Sequence, residues 1–433
     1  MKKTSCFLSL LTAASLLLLL FSQNRLSYAQ AQTADINELA DKLLHKISQK
    51  LQLPIKYKVN LDFKERAELR RYLIELLHKE YPREKLMVMA KAYTKIGLLP
   101  KDFPLEKFLI ELYSEQVAGF YDPKSKKLFL IKGFDPQFQQ MIMVHELVHF
   151  LQDQHFNLML LIKSDTDNDD LILARQAVVE GQATAVMMEI LSGQEITQLP
   201  DLAPLAEMAL NLPDFARSTL VKSPEYIKRG LLFPYIAGTS FIQHYYSALQ
   251  GYNSLKLFSR LPTSTEQIIH FEKYFDNPDE PTSIKINGLE NLLQPEWHPL
   301  YSNVIGELDL SILIKEFLTP EAADKGADGW DGSRFYTFER SLDGRVLLIW
   351  LSTFDSQMDA LEFFQSYKKI LAAKYKRERL IKRKAKKFFQ WQTEEGIAYL
   401  ELKGCDVLII EGIEPEFLSS LIKLCFKATK SSS

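Results

Sequence analysis

Cysteine is scarce in this chain. Only Cys6, Cys405 and Cys425 occur among 433 residues, with no CxxC pair, which excludes a cysteine-based metal cluster, a dithiol redox centre and a disulfide-stapled scaffold. Cys6 lies in the leading apolar segment. The other two stay open between a bridge and two buried free thiols, since spacing alone does not give their separation. Charge of one sign is also lacking: 53 basic residues meet 55 acidic ones for a net charge of −2, and nothing global points to nucleic acid. There is no internal repeat, which removes solenoids and arrays. What remains is an ordinary globular composition, 46% hydrophobic and 25% charged, in a chain long enough for two domains with cores.

The N-terminus is a targeting signal by pattern. Lys2 and Lys3 precede an apolar run from Phe7 to Phe21, followed by "SQNRLSYAQAQ", in which Ser27-Tyr28-Ala29 or Ala29-Gln30-Ala31 offers small residues for cleavage. Such a run spans only about 22 Å as a helix, short of a hydrocarbon core of about 30 Å. The expectation is a signal peptide over residues 1–29 and an exported protein, secreted or periplasmic, with no stable membrane insertion after cleavage. An uncleaved anchor is the alternative. The cleavage region has no cysteine, which argues against a lipoprotein.

Residues 33–115 read as helical, with apolar residues three and four apart and Pro54, Pro82 and Pro100 as punctuation. The period then changes: "QVAGFYDPKSKKLFLIKGF" reads as strand, Asp-Pro turn, strand, with Gly119 at a bulge or a close approach. A long helix follows from Phe138, then the loop "KSDTDNDD", then a second helix over "ILARQAVVEGQATAVMMEIL". A polar, proline-containing stretch at 276–300 reads as a boundary. Beyond it, strands and helices in the order ββαβββα predict an antiparallel sheet with helices on one face. The expected fold class is therefore α+β: a helix-rich domain over 33–290 and a smaller antiparallel α+β domain over 300–433.

"HELVHF", His145 to Phe150, carries the chemistry. Two histidines four apart on a helix are separated by about 6 Å along the axis and roughly 40° around it, so both rings can reach one ion. Glu146 beside them can face the open coordination position as a general base. The flanks are apolar, and two imidazoles and a carboxylate in such a run are costly unless paired or metal-bound. The third ligand has two candidates. His155 stands six residues after His149, a spacing that needs a glycine midway to turn the chain back, and Gln152 occupies that position. On a continuing helix His155 lies about 9 Å beyond His149. Glu180, a carboxylate in the apolar stretch "VVEGQAT", is the better candidate.

"AGFYDPKSKKLFLI", "HELVHFLQDQHF", "ARQAVVEGQAT", "AGTSFIQHYY" and "PTSTEQIIHFEKY" together resemble a group of exported prokaryotic zincin-like proteins of gluzincin type, most without an assigned substrate. "NVIGELDLSILI" and "GADGWDGSRFYTFER" extend the resemblance over most of the mature chain. The resemblance implies one zinc ion held by His145, His149 and Glu180, with Glu146 as base. One position departs: the group usually has an acid two residues after the third ligand, where this chain has Gln182, and Asp153, one turn after His149, is the alternative carboxylate to orient a ligand.

Other features are weighed against simpler uses. The strand "KKLFLI" either pairs with an extended peptide or is an inner strand. His270 is a candidate for stabilising the oxyanion, with Tyr274, His244 and Tyr245 behind it, although a histidine there can equally cap or pack a helix. "DTDNDD" lacks the glycine and glutamate of a calcium loop and reads as a solvated turn capping the next helix. "KYKRERLIKRKAKK" reads as a solvated helix end and loop. The expected function is an exported zinc metallopeptidase acting on a peptide or protein substrate. The alternatives are a zinc amide hydrolase acting on cell-wall peptides, or a non-catalytic binding protein on the same fold.

Overall fold

Stripes of leucine build the first helices. The chain, described here from a computed structural model, is defined for residues 33–116, 118–162, 167–199, 201–210, 218–375, 379–384 and 387–432, so the expected signal peptide lies outside the described residues. Helices α1 (Thr33–Leu51), α2 (Arg66–Glu80), α3 (Arg83–Ile96) and α4 (Leu105–Gln116) follow in turn. In α2, Leu69, Leu73 and Leu77 recur every four residues and form its buried stripe. Strand β1 (Asn60–Lys64) interrupts the segment read as helical. It is held by a partner distant in sequence, which helical periodicity does not register: β1 runs parallel to β3 (Lys127–Ile131), which is also antiparallel to β2 (Gly119–Asp122). In this sheet of order β1-β3-β2, the "KKLFLI" strand is the inner one, with both edges taken.

Helix α5 (Pro136–Phe156) begins where Asp135 accepts a hydrogen bond from the Gln137 amide at 2.9 Å and Pro136 occupies the first turn. It is apolar on every side and buried from Ile142 to Gln154, which marks a core helix. After α6 (Leu158–Ile162) comes α7 (Asp169–Ser192), capped by Asn168, whose side chain accepts from the Leu171 amide at 3.0 Å. The acidic turn thus caps a helix as read. It is not solvated throughout, because Asp170 turns inward and is buried. Then follow α8 (Leu202–Leu210), α9 (Glu225–Leu249), α10 (Ser254–Ser259), α11 (Thr265–Ile269) and α12 (Phe271–Phe275).

The C-terminal part is an antiparallel sheet flanked by helices, so the chain as a whole is α+β. Its elements are β4 (Thr282–Lys285), α13 (Leu289–Leu293), β5 (Trp297–Asn303), α14 (Glu307–Phe317), α15 (Pro320–Ala327), β6 (Trp330–Arg340), β7 (Val346–Phe354), α16 (Gln357–Lys374), β8 (Arg379–Lys384), β9 (Phe388–Thr393), β10 (Gly396–Lys403), β11 (Asp406–Ile413), α17 (Pro415–Cys425) and β12 (Thr429–Ser432). Seven strands run in the order β5-β6-β7-β11-β10-β9-β8, and β12 pairs with β4 beside them. The helices cover both faces, not one. Leu348, Trp350, Leu400 and Ile409 share a core with Phe363 and Tyr367 of α16 and with the helical part. Their neighbours Leu347, Ile349, Tyr399 and Ile410 share a second core with Leu418 and Leu421 of α17. The basic segment read as loop contains edge strand β8, exposed at every position, whose lysines and arginines suit an unpaired edge. Cys405 and Cys425 are both free; Cys425 is buried in the second core, where burial pushes its thiol up to about 12. Among the described residues no helix is long and apolar enough to cross a membrane.

Candidate metal centre

Three helices create the site. α5 presents His145 and His149 one turn apart, and α7 crosses so that Glu180 meets both: Glu180 Oε2 lies 3.1 Å from His145 Nε2 and 3.2 Å from His149 Nε2. The two Nε2 atoms are 3.0 Å apart. His155 is not part of this group. α5 continues unbroken to Phe156, and His155 Nε2 instead contacts the Pro54 carbonyl at 2.8 Å.

The crossing of α7 with α9 sets where Glu180 stands. A Cβ on Gly181 would come within 2.2 Å of the Gly238 carbonyl carbon, and one on Gly238 within 2.1 Å of the Ala177 carbonyl oxygen. Backbone touches backbone here, next to Glu180 itself, so only glycine fits at either position. Gly119 has a related role, since its Cβ would meet Ile142 of the metal helix at 2.5 Å; the position is a close approach of hairpin to helix.

Glu146 is held from the hairpin. The Tyr121 amide donates to Glu146 Oε2 at 2.7 Å, while Oε1 is buried with no hydrogen-bond partner. Tyr121 is itself fixed, because its hydroxyl donates to Asp153 Oδ2 at 2.8 Å, and Lys126 from the hairpin turn donates to the same oxygen. Asp153 therefore locks the hairpin to α5 and does not orient a histidine. That role falls to Gln152: His149 Nδ1 stands 2.9 Å from Gln152 Oε1, which requires the proton on Nδ1 and leaves Nε2 free for the cluster. Gln152 Nε2 donates to the Val179 carbonyl at 3.1 Å and to Gln182 Oε1 at 2.9 Å. Gln182 Nε2 then donates to the Tyr246 hydroxyl at 2.5 Å and Ser254 Oγ at 3.2 Å. Gln182 is thus part of a buried amide relay behind His149.

Electrostatics follow from burial, for His145, Glu146, His149 and Glu180 are each at most 1% exposed. Burial lowers His145, and burial pushes the Glu146 carboxyl up to about 7. For His149 and Glu180, burial opposes ionisation, but their mutual attraction outweighs it, raising the imidazole to about 9 and holding the carboxyl down to about 2. A proton on His149 is what neutralises the cluster when no cation does. A metal ion fits on three counts: two imidazole nitrogens and a carboxylate converge, the pairing of His149 Nδ1 fixes a coordinating tautomer, and Oε1 of both Glu146 and Glu180 is buried without a partner.

The remaining sequence candidates stand elsewhere. His270 pairs through Nε2 with Glu307 Oε1 at 2.8 Å, the Tyr274 hydroxyl donates to the Arg260 carbonyl at 2.6 Å, exposed His244 contacts the Ser240 carbonyl at 2.9 Å, and Tyr245 packs among aromatic rings. Thr265, five residues before His270, donates to Asp170 at the start of α7. That end lies ten residues, or about 15 Å along the axis, from Glu180. The aromatic ring that does approach the site is Tyr235 of α9, its centroid 6.2 Å from that of His145. Nothing in "FPYIAGTS" distinguishes it from a core tyrosine, whereas Gln152, three residues after His149, was open to recognition from helical spacing.

Comparison with known proteins yields one match, a family described as a domain of unknown function (DUF8575), over residues 298–421. That span runs from β5 into α17 and does not include the metal helix. No curated protein matches the chain. No solved structure matches it either.

Proposed function

We propose that this chain is an exported zinc-dependent metallopeptidase of gluzincin type. The observation that carries the proposal is the convergence of Glu180 Oε2 on both Nε2 atoms, with the adjacent Glu146 keeping one buried oxygen without a partner. His145, His149 and Glu180 hold the ion. Zinc, when bound in such a site, lowers the pKa of water to about 7 and polarises a carbonyl. Glu146 removes a proton from the attacking water and later delivers it to the departing amine. The Tyr121 amide holds one Glu146 oxygen and leaves the other for the proton. Gln152 keeps His149 in the tautomer that can ligate.

The test is Glu146→Gln, which keeps shape and much of the hydrogen bonding but removes the proton acceptor. We expect normal zinc content and hydrolysis of a peptide library slowed at least roughly a hundredfold. Equal rates from zinc-loaded variant and parent would overturn the mechanism. Parallel digestion of protein and of cell-wall peptides separates a peptidase from an amidase of the envelope. The near-complete burial of all four groups favours one second reading, a closed structural zinc site in a non-catalytic protein. Retained zinc with no hydrolysis by the parent of any protein, peptide or cell-wall substrate would favour that reading.

A further inference from the structure

We propose a second metal site at the seam between the helical part and the sheet, formed by His270, Glu307 and Asp328 and taking a transition-metal dication such as zinc or manganese. It is independent of the function proposed above. His270 stands at the break between α11 and α12, Glu307 opens α14, and Asp328 follows α15. Each offers one ligand atom, and the three atoms lie within 4.8 Å of one another.

A histidine and two acids in proximity make no site by themselves; the state of Glu307 distinguishes this group. The residue is 5% exposed, and its Oε1 is engaged by His270 Nε2. Oε2 of the same carboxylate is buried with no donor. Leaving such an oxygen unpaired is costly, and a cation beside it removes that cost. The surroundings add to the demand. Asp170, whose carboxylate lies against the backbone of Gly306 next to Glu307, and Glu266, whose carbonyl accepts from the His270 amide, are further buried acids. The cation of the neighbouring acidic group is already present: Lys273 Nζ lies 2.6 Å from Glu266, 3.1 Å from Asp279 and 2.6 Å from Asp355. The His270 group shares a proton between His270 and Glu307, and Lys273 makes no ion pair with either residue, acting on them through its field alone.

The donor set decides the ion. An imidazole nitrogen with two carboxylates suits zinc or manganese, whereas calcium takes oxygen ligands only. Asp328 is exposed, which gives the ion a path from solvent. The ligands come from both sides of the seam, His270 from the helical part and the acids from the part that carries the sheet. Occupancy would therefore join the two, and stability would rise with metal concentration.

The experiment is metal analysis of the mature full-length protein after loading with zinc or manganese and desalting, with circular dichroism of each variant to confirm folding. We expect two ions per chain in the parent. His149→Ala should keep the seam ion, Glu307→Gln should lose it, and the double variant should hold none. Asp328→Asn, at an exposed position, should fold normally and weaken the seam ion at least tenfold in a chelator competition. An ion that persists in His149→Ala and disappears in Glu307→Gln establishes this site even if the metal helix proves empty. A parent with a single ion, retained in Glu307→Gln and lost in His149→Ala, overturns it. Equal occupancy in parent and Asp328→Asn removes Asp328 and with it the proposed ligand set.

Discussion

Gln152 shows how much a single side chain contributes to a ligand it merely touches. By accepting from His149 Nδ1 it selects one tautomer, and its own amide is held in turn by Val179 and Gln182. Gln152→Leu should keep the helix but leave Nδ1–H buried without an acceptor, lowering zinc affinity roughly ten- to a hundredfold in chelator competition. Gln152→Glu restores an acceptor for Nδ1 and should recover much of that loss; equal affinities for all three proteins would show that the contact has no influence on the metal. Asp170 makes a second case at this scale. In the metal-free fold its carboxyl is raised to about 7, against about 3.9 for an unfolded chain. The folded state then holds a proton that unfolding releases, so the contribution is fully present below about pH 4 and is lost as pH rises through 7, on the order of 4 kcal/mol in all. Asp170→Asn should flatten the fall in melting temperature between pH 5 and 8; an unchanged slope would place the titration elsewhere. The pairing of His145 with His149 was legible because one helical turn is a rule of spacing. Gln152 obeys the same rule, but a carboxylate is the commoner partner of a metal-binding histidine, which points to Asp153 instead. Tyr121 was not legible, since it reaches Glu146 through its backbone and no side-chain pattern records that.

Among the elements, the crossing of α7 and α9 is the one on which the proposed ligand set depends. Gly181 and Gly238 let the two backbones touch beside Glu180, and a methyl group at either position meets main chain, which has no rotamer to yield. Overpacking typically costs about 1–3 kcal/mol, and a backbone clash belongs at or above the upper end. Gly238→Ala should therefore lower the melting temperature of the metal-free protein and, by moving α7, weaken zinc binding as well. A stable variant with unchanged zinc affinity would mean that α7 is positioned by other contacts. The two glycines stand in the sequence as "VVEGQAT" and "AGTSF", yet which helices they join is a long-range fact. The same limit accounts for β1, whose parallel partner lies beyond three helices. The two-sided covering of the sheet is different, because β7 reads "VLLIWLSTF", a continuous apolar run rather than an alternation. Such a run is what a strand buried on both faces requires, and the expectation of helices on one face overlooked it.

At the scale of the whole molecule, the composition changes near residue 276 but the packing does not. One core runs from Ala40 of α1 through the metal helix to Trp350 and Ile409 of the sheet, so the face of the sheet toward the helices is not a separate surface. Polar links cross the same seam: Lys273 to Asp355, His270 to Glu307, the Asp169 amide to Asn303 Oδ1, and Lys374 to the Lys95 carbonyl at the end of α3. A seam built from contiguous apolar side chains, with ion pairs at its margin, has no low-energy plane of separation, whereas independent domains meet through smaller and more polar contacts. The helical and sheet parts should therefore unfold together. We expect one calorimetric transition for the mature protein, with far-ultraviolet circular dichroism and tryptophan fluorescence following the same curve. All four tryptophans lie in the sheet part, at positions 297, 330, 350 and 391, so fluorescence reports that half while the dichroism signal is dominated by the helices. Coincident curves mean that loss of the sheet removes one wall of the core on which α3 and the metal helix depend, and zinc added before heating should then move both probes by the same number of degrees. A fluorescence transition that separates from the helical one, with zinc shifting only the latter, would show that the sheet folds by itself and that the shared core is a docking surface.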